Sequence, residues 1–477
     1  MNQQIGRGLL WKLLERFGVS GTQFVLQIIL ARLLDPAHYG VLSIMIIFTT
    51  LANVFVQNGF NTALIQNKDV TEEDYSSVLW VSLGISVLIY GAIFFGAPLV
   101  GAFYEMPDIV VPLRVLALML FPGALNSVQL AKVSREMDFK KVFYSNMGGI
   151  LISGAAGIVI ALMGGGLWAL VAQTMLNIFA ACIVMFFTVR LKLRFVCNWH
   201  RVKVLFSYGW KLLVSSLLDT LYQDLRSLVI GKKYNSDTLG YYNRGKQFPQ
   251  FIINAVASTT QSVLLPAMSK QQDDREELKI LTRNSIMISS YIVFPVMAGL
   301  AGGATPLISL LLTEKWLPSV PYMQIYCFTL AFYPVHMCNL QAINAMGRSD
   351  IFLKLEIVKK GLGIGALLVA VFCFDSPIAI AMTGAFTTVI SCFINAYPNK
   401  KLIDYSYFEQ MRDILPSIAA AVVMLGAVLA VQLLGLGAFA TLAVQIALGV
   451  AVYAAVSVIF RLEPFRLLLN MLKNKAK

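Results

Sequence analysis

Apolar runs of about twenty residues or more, separated by short polar connections, follow one another along the whole chain. At 1.5 Å per residue, ~20 helical residues cross the ~30 Å hydrocarbon core of a bilayer. The pattern predicts fourteen spans, near 8–33, 40–65, 76–103, 110–133, 142–163, 166–190, 205–231, 238–265, 280–312, 321–346, 351–374, 377–398, 412–434 and 438–460. None of the connections could hold a folded soluble domain. The seventh span stands apart. Lys211, Ser215, Asp219, Tyr222 and Arg226 recur every three or four positions, with Thr220, Gln223 and Ser227 beside them, and Asp224 adds another charge. Leu213, Leu217, Leu218, Leu221, Leu225, Leu228 and Val229 take much of the remaining surface. Ionisable groups at that depth cost several kcal/mol unless they face protein or water, roughly as transfer scales price them. The spacing therefore predicts a helix with one wet face, lining an aqueous cavity.

Three other spans carry similar faces. Lys12, Glu15, Arg16, Gln23 and Gln27 fall close together on the first, and Thr50, Asn53, Gln57 and Asn61 on the second. The eighth carries Asn243, Gln247, Gln250, Asn254, Ser258 and Gln261, below Arg244 and Lys246. The economical arrangement puts these four helices around one cleft. Lys12, Arg16, Lys211, Arg226, Arg244 and Lys246 outnumber Glu15, Asp219 and Asp224, so the cleft would attract an anion such as a phosphate or acidic sugar. Arg offers phosphate a planar fork of donors, and Lys a point charge. A blander reading competes at each position. The amides can serve as glue between helices, at ~0.6 kcal/mol each. Arg226 can pair with Asp219 or Tyr222, and Lys12, Arg244 and Lys246 can snorkel to headgroups.

The sequence also repeats. Trp11-Lys12-Leu13-Leu14 opens the first span and Trp210-Lys211-Leu212-Leu213 the seventh; Tyr39-Gly40 and Leu239-Gly240 mark the turns into the following helices. Asn126, Arg135 and Phe139 return as Asn339, Arg348 and Phe352 with the same mutual spacing. The chain thus reads as an N-terminal lobe (1–200) and a C-terminal lobe (201–400), each of six spans, plus an appended pair with a basic tail (401–477). An even number of spans per lobe gives both the same topology, with a pseudo-twofold axis along the membrane normal. The last two spans carry Gln432 and Gln445, are read as free of charge and lipid-facing, and are assigned no chemistry.

Composition agrees with an all-α polytopic membrane protein. Of 477 residues 58% are hydrophobic and 13% charged, about half the charged share of a soluble domain. The net charge of +13 would suggest nucleic acid, but the cations fall mainly on one side of the predicted membrane. The opposite side holds Arg32, Arg114, Lys232, Lys233 and Lys315. The asymmetry orients both termini towards the cytoplasm. The first apolar segment, with Lys12, Glu15 and Arg16 and no small-residue cleavage site, reads as a retained span. The six cysteines are scattered, without CxxC or metal-ligand spacing. There is no phosphate-cradling Gly-rich loop and no HExxH, so neither cofactor nor catalytic group is expected. Glu356, with Asp219 and Asp224, is a carboxylate available for ion coupling, although Lys359 and Lys360 lie close to it. His336 reads as a hydrogen-bonded packing residue.

Three segments carry a family resemblance. Ala31-Arg-Leu-Leu-Asp-Pro-Ala-His-Tyr-Gly40, Leu265-Pro-Ala-Met-Ser-Lys-Gln-Gln-Asp-Asp274 and Glu314-Lys-Trp-Leu-Pro-Ser-Val-Pro321 resemble polysaccharide exporters of the MOP flippase superfamily. The branch includes colanic acid and teichuronic acid exporters and Wzx-type O-antigen flippases. The resemblance implies a bacterial inner-membrane flippase for an undecaprenyl-pyrophosphate-linked oligosaccharide, working by alternating access and driven by an ion gradient. It implies a cavity lined by spans 1, 2, 7 and 8, with Arg16, Lys211 and Arg226 at the positions of the basic cargo-binding residues. Lys12, Arg244, Lys246, Gln57 and Asn254 complete the predicted binding set. Membrane lipids and polysaccharide polymerase or assembly proteins are the implied partners. The alternatives are a MATE-like extruder of drugs or metabolites, against which the basic stripes and the appended pair argue, and a glycan polymerase or ligase, for which the external loops are too short.

Overall fold

The computed structural model describes residue 11 and residues 18–66, 70–189, 191 and 194–475, and among these the regular structure is helical throughout. The chain divides into two compact units, Met1–Gly240 and Tyr241–Lys477. Numbered in chain order, the first contains α1 (Ser20–Leu33), α2 (Pro36–Gln66), α3 (Glu72–Tyr104), α4 (Val110–Leu116), α5 (Leu120–Glu136), α6 (Phe139–Leu162), α7 (Leu167–Thr188) and α8 (Trp199–Lys233). Helix α9 (Ser236–Lys270) leads into the second. There follow α10 (Arg275–Gly302), α11 (Ala304–Leu311), α12 (Val320–Ala331), α13 (Tyr333–Ala345), α14 (Ser349–Cys373), α15 (Pro377–Leu402), α16 (Tyr407–Ala430), α17 (Ala438–Ile459) and α18 (Glu463–Lys475). Predicted spans two to fourteen each overlap one helix or a consecutive run of helices, while the first lies outside the described residues before position 18 except at residue 11, and its remainder holds α1. Among the described residues, nine segments are long and apolar enough to cross a membrane; α8, α9 and α14, which carry the polar residues noted above, are not among them.

Proline explains where predicted spans break. The stretch 280–312 is interrupted at Gly303, between α10 and α11. The carbonyl of Gly302 would take its helical hydrogen bond from residue 306, which is a proline without an N–H. Instead Gln432 Nε2 donates to it at 2.8 Å. Gln445, buried, donates to the Val428 carbonyl at 3.0 Å. The appended helices are therefore bolted to the second unit by the amides for which the sequence suggested no role. Nor are they free of charge: α16 opens with Glu409, Arg412 and Asp413, and Arg283 of α10 holds Asp413 through two hydrogen bonds, at 2.8 and 2.9 Å. The stretch 321–346 breaks likewise at Phe332, because Pro334 enters the first turn of α13.

In the first unit the connection into α8 is fastened to the start of α3. Thr71 and Asp74 form a capping box. Asp74, 2% exposed, also takes a 2.7 Å hydrogen bond from the Arg201 guanidinium. Ser76 and Ser77 accept from the backbone N–H groups of Arg194 and Asn198, and Trp80 donates to the Arg194 carbonyl. Asn198 then caps α8 by accepting from the Arg201 N–H. From there α8 runs 35 residues, packed along α2.

The repeat survives in the helix ends. Helix α1 ends at Leu33 and α2 begins at Pro36; α8 ends at Lys233 and α9 begins at Ser236, an offset of 200 residues. The turns lie a few residues before Tyr39-Gly40 and Leu239-Gly240, whose glycines have another purpose. A Cβ on Gly40 would come within 1.8 Å of the Ser236 carbonyl oxygen, and one on Gly240 within 2.2 Å of the Pro36 carbonyl oxygen. Two helix starts thus cross at the one residue type that lets their backbones touch.

Both devices are testable by thermal unfolding of the purified protein in detergent. Gly40→Ala or Gly240→Ala should cost about 1–3 kcal/mol or more through overpacking against backbone, whereas Gly84→Ala, which meets nothing within 4 Å, should be tolerated. Arg201→Ala removes a charged hydrogen bond from the buried Asp74 carboxylate, whose capping box remains, and should cost about 1.5–3 kcal/mol.

Candidate functional site

The amphipathic helix is present as predicted. On α8 the stripe from Lys211 to Arg226 covers about 22 Å of helix, most of the thickness of a hydrocarbon core. Lys211 is exposed, while Asp219, Tyr222, Asp224 and Arg226 are half-buried and each has a partner. Val214, Leu218 and Leu221 are exposed, as an apolar surface turned to lipid would be. Val214 and Leu218 follow Lys211 by three and seven residues, so exposed apolar side chains border the charged stripe, and Asp224 lies on the opposite side of the helix from it.

The companion stripes divide into several kinds. Lys12 and Arg16, with Glu15, lie outside the described residues. On α2 the Gln57 amide donates to Asn53 at 3.2 Å, and Gly123 of α5 leaves room for both side chains. Part of this polar face is therefore a helix–helix contact within the first unit. On α9 Gln250 donates to Asn254 at 2.8 Å, and Asn254 is exposed.

Arg244 behaves differently from the other cations. It is only 4% exposed, its guanidinium lies 5.1 Å from the ring centroid of the fully buried Trp316, and it donates to Gln247. Gly245 next to it brings α9 against the start of α12, where a Cβ would come within 2.8 Å of the Ser319 carbonyl and the Met323 N–H. Lys246 lies 5.9 Å from the ring of Tyr326. Arg244 thus pins α9 to the Glu314–Ser319 turn, an interior role that the sequence stripe did not separate from a cargo-facing one.

Glu356 is paired with Lys359 at 2.5 Å. His336 is a packing residue in a polar cluster, 3.2 Å from the Asn395 amide and 3.6 Å from Cys392. Beside it lies a group that sequence reading missed. Asn339, Asn399 and Gln410, all fully buried, join α13, α15 and α16: Asn339 and Gln410 exchange hydrogen bonds of 2.8 and 2.9 Å, and Asn399 donates to Asn339 at 2.6 Å. Asn395 and Asn399 sit four residues apart on α15, so the spacing test used on the other spans would have flagged them. Arg283 is a second such centre, since it also binds Glu463 at 2.9 and 3.0 Å. Its two partners come from two other helices, α16 and α18, which no local pattern reveals.

Residues 29–321, more than half of the chain, match the family described as polysaccharide biosynthesis protein. The chain belongs to that family. It is 22% identical over 467 residues to the teichuronic acid biosynthesis protein TuaB of Bacillus subtilis, covering 95% of each chain. It is also 22% identical to the succinoglycan biosynthesis transport protein ExoT of Rhizobium meliloti, over 86% of this chain and 81% of that one. Among solved structures, the lipid II flippase MurJ in an inward closed conformation superimposes with a TM-score of 0.74 at 16% identity, covering 93% of this chain and 98% of MurJ. The resemblance carried by the three sequence segments is thereby borne out, and the fold is that of a polytopic membrane transporter.

Arg244 and Lys211 should separate in experiment. Arg244→Ala should lower thermal stability by about 2–3 kcal/mol, the combined scale of a desolvated cation–π contact and a charged hydrogen bond. Lys211→Ala, at an exposed position, should leave the unfolding free energy within about 0.5 kcal/mol of the wild type.

Proposed function

We propose that this protein is a flippase that moves an undecaprenyl-pyrophosphate-linked oligosaccharide repeat unit across the cytoplasmic membrane by alternating access, for surface polysaccharide assembly. The carrying observation is α8, a helix long enough to cross a bilayer whose charged stripe, with Lys211 and Arg226 at its two ends, runs along its axis in a chain of the polysaccharide biosynthesis family. A pyrophosphate needs positive charge along its path, and in a low-dielectric setting Lys211 and Arg226 supply it. Lys12 and Arg16 of the first span join them in this reading, with Lys246, Gln57 and Asn254 facing the sugars. Arg244 keeps its place in holding α9. Asp219, within the stripe, and Asp224, on the same helix, are the first two coupling carboxylates, and Glu356, already paired with Lys359, is the third. Both termini are cytoplasmic, the halves meet near residue 200, and residues 401–477 form the appended pair and tail. The names of TuaB, ExoT and MurJ support this reading, since each concerns a glycan polymer or a lipid-linked precursor.

Deletion of the gene tests the proposal. Lipid-linked oligosaccharide should accumulate on the cytoplasmic leaflet and surface polysaccharide should be lost, both restored by the intact gene. Lys211→Ala and Arg226→Ala should each reduce complementation about tenfold or more, the scale of a charged hydrogen bond, with the protein still present at wild-type levels. Normal surface glycan combined with new sensitivity to small toxic compounds would assign the chain to extrusion of small molecules instead.

A further inference from the structure

A recess of about 1020 Å³ opens in the second unit where the first turns of α10 and α16, the last turn of α17 and the start of α18 come together. Its deeper wall is apolar, formed by Ala419, Ala420, Val423, Val456 and Phe460. Its mouth is charged. From Glu409 to Val423 the lining descends fourteen residues along α16, about 21 Å of helix. The apolar part runs from Pro416 to Val423, about 10 Å of helix, so an occupant that fits is polar at one end and apolar over about that length, enough for the upper part of an acyl chain.

The charges at the mouth are unevenly paired. Lys279, Arg283, Arg412 and Arg461 line it with three carboxylates, and Asp404 stands 3.8 Å from Lys279, but all four carboxylates are engaged by Lys279, Arg283 or their own neighbours. Asp413 and Glu463 are held by Arg283, and the Tyr405 hydroxyl donates to Asp413 at 2.8 Å. Burial and that carboxylate both push the Tyr405 phenol above its ordinary ionisation range, so it stays a donor. Glu409 accepts from the backbone N–H and hydroxyl of Ser406 at 2.7 Å and lies 3.7 Å from Lys279. Arg412 and Arg461 are exposed and have no ion pair among the described residues.

Arg461 sits there against backbone preference. Its φ is 49°, the left-handed position after a helix C-terminus that glycine usually fills. The helix that follows, α18, alternates Phe465, Leu467, Leu468 and Leu469 with Arg466, Lys473 and Lys475, the composition of a basic helix lying in a membrane interface. The Phe465 ring packs 6.4 Å from that of Tyr291, which fixes α18 to α10.

We propose that this recess binds an anionic phospholipid from the surrounding bilayer. Its phosphate lies against Arg412 and Arg461, and an acyl chain follows the apolar wall towards Val423. The uncompensated pair of arginines selects an anionic over a zwitterionic headgroup. The site does not depend on the cargo, so it stands or falls separately from the flippase reading.

The test uses the full-length protein purified in mild detergent, with bound lipid measured by native mass spectrometry during titration. Phosphatidylglycerol should bind at least tenfold more tightly than phosphatidylcholine. Each arginine near an anionic headgroup contributes roughly a fivefold preference, so Arg412→Gln with Arg461→Gly should lose about thirtyfold together. Arg461→Gly suits the local φ and keeps the helix end intact, so its melting temperature should hold or rise while lipid affinity falls. If the double variant fails to fold, each single variant should still show the roughly fivefold loss. Equal affinity for the two phospholipids, or affinity unchanged in the variants, would overturn the proposal. So would full displacement by inorganic phosphate at the same concentration, which would reduce the recess to an anion site. Preferential displacement by equimolar undecaprenyl pyrophosphate would hand it to the cargo.

Discussion

Inside a hydrocarbon layer a polar group has no water to fall back on, and that constraint orders both units. Where Pro306 deprives the Gly302 carbonyl of its helical partner, Gln432 reaches across to supply one. Asp74, nearly sealed from solvent, is met by the Arg201 guanidinium and its own capping box. Arg283 gathers Asp413 and Glu463 from two other segments. Each of these contacts joins elements far apart in sequence. Satisfying the polar group and assembling the unit are therefore the same event. An unmet group of this kind costs several kcal/mol in lipid, so its partner is fixed almost as firmly as a covalent link would fix it.

Helix positions and the amphipathic character of α8 were legible in the sequence because they depend on local periodicity. Three- and four-residue recurrence says which side chains share a face whatever surrounds the helix. It does not say what that face meets. Gln57 and Arg244 illustrate the difference. Both lie on predicted polar stripes, but Gln57 turns to Asn53 and Gly123, while Arg244 turns to Trp316 and Gln247. The deciding neighbours come from α5 and from the turn before α12, at distances along the chain that no window spans. The appended pair was misread for the same reason. Gln432 and Gln445 look idle on their own helices, and only the break at Gly303 gives Gln432 something to do.

The glycines at 40 and 240 carry the internal repeat more firmly than the motifs that first suggested it. Trp11-Lys12 and Trp210-Lys211 differ by 199 residues and could match by chance. The crossing at Gly40 and Gly240 is reciprocal: each glycine admits a carbonyl from the helix start that contains the other. A duplicated element meeting its own copy would produce such symmetry, and either position filled by a larger residue would force both backbones apart.

Helix α8 poses the sharpest energetic question, since it holds four ionisable residues in a segment long enough to cross a bilayer. Its two ends are tied down. At one end it is held by Asn198 and by Arg201 on Asp74; at the other, Gly231 brings it against Ile44 of α2, where a Cβ would come within 2.7 Å of the isoleucine Cδ1. These anchors lie outside the stripe, along which Asp219, Asp224 and Arg226 have partners of their own. A helix fixed by its ends can let the charges along its middle exchange partners without losing its place. Transport asks this of a binding surface, because a group that both held the fold and bound the cargo could not release one without endangering the other.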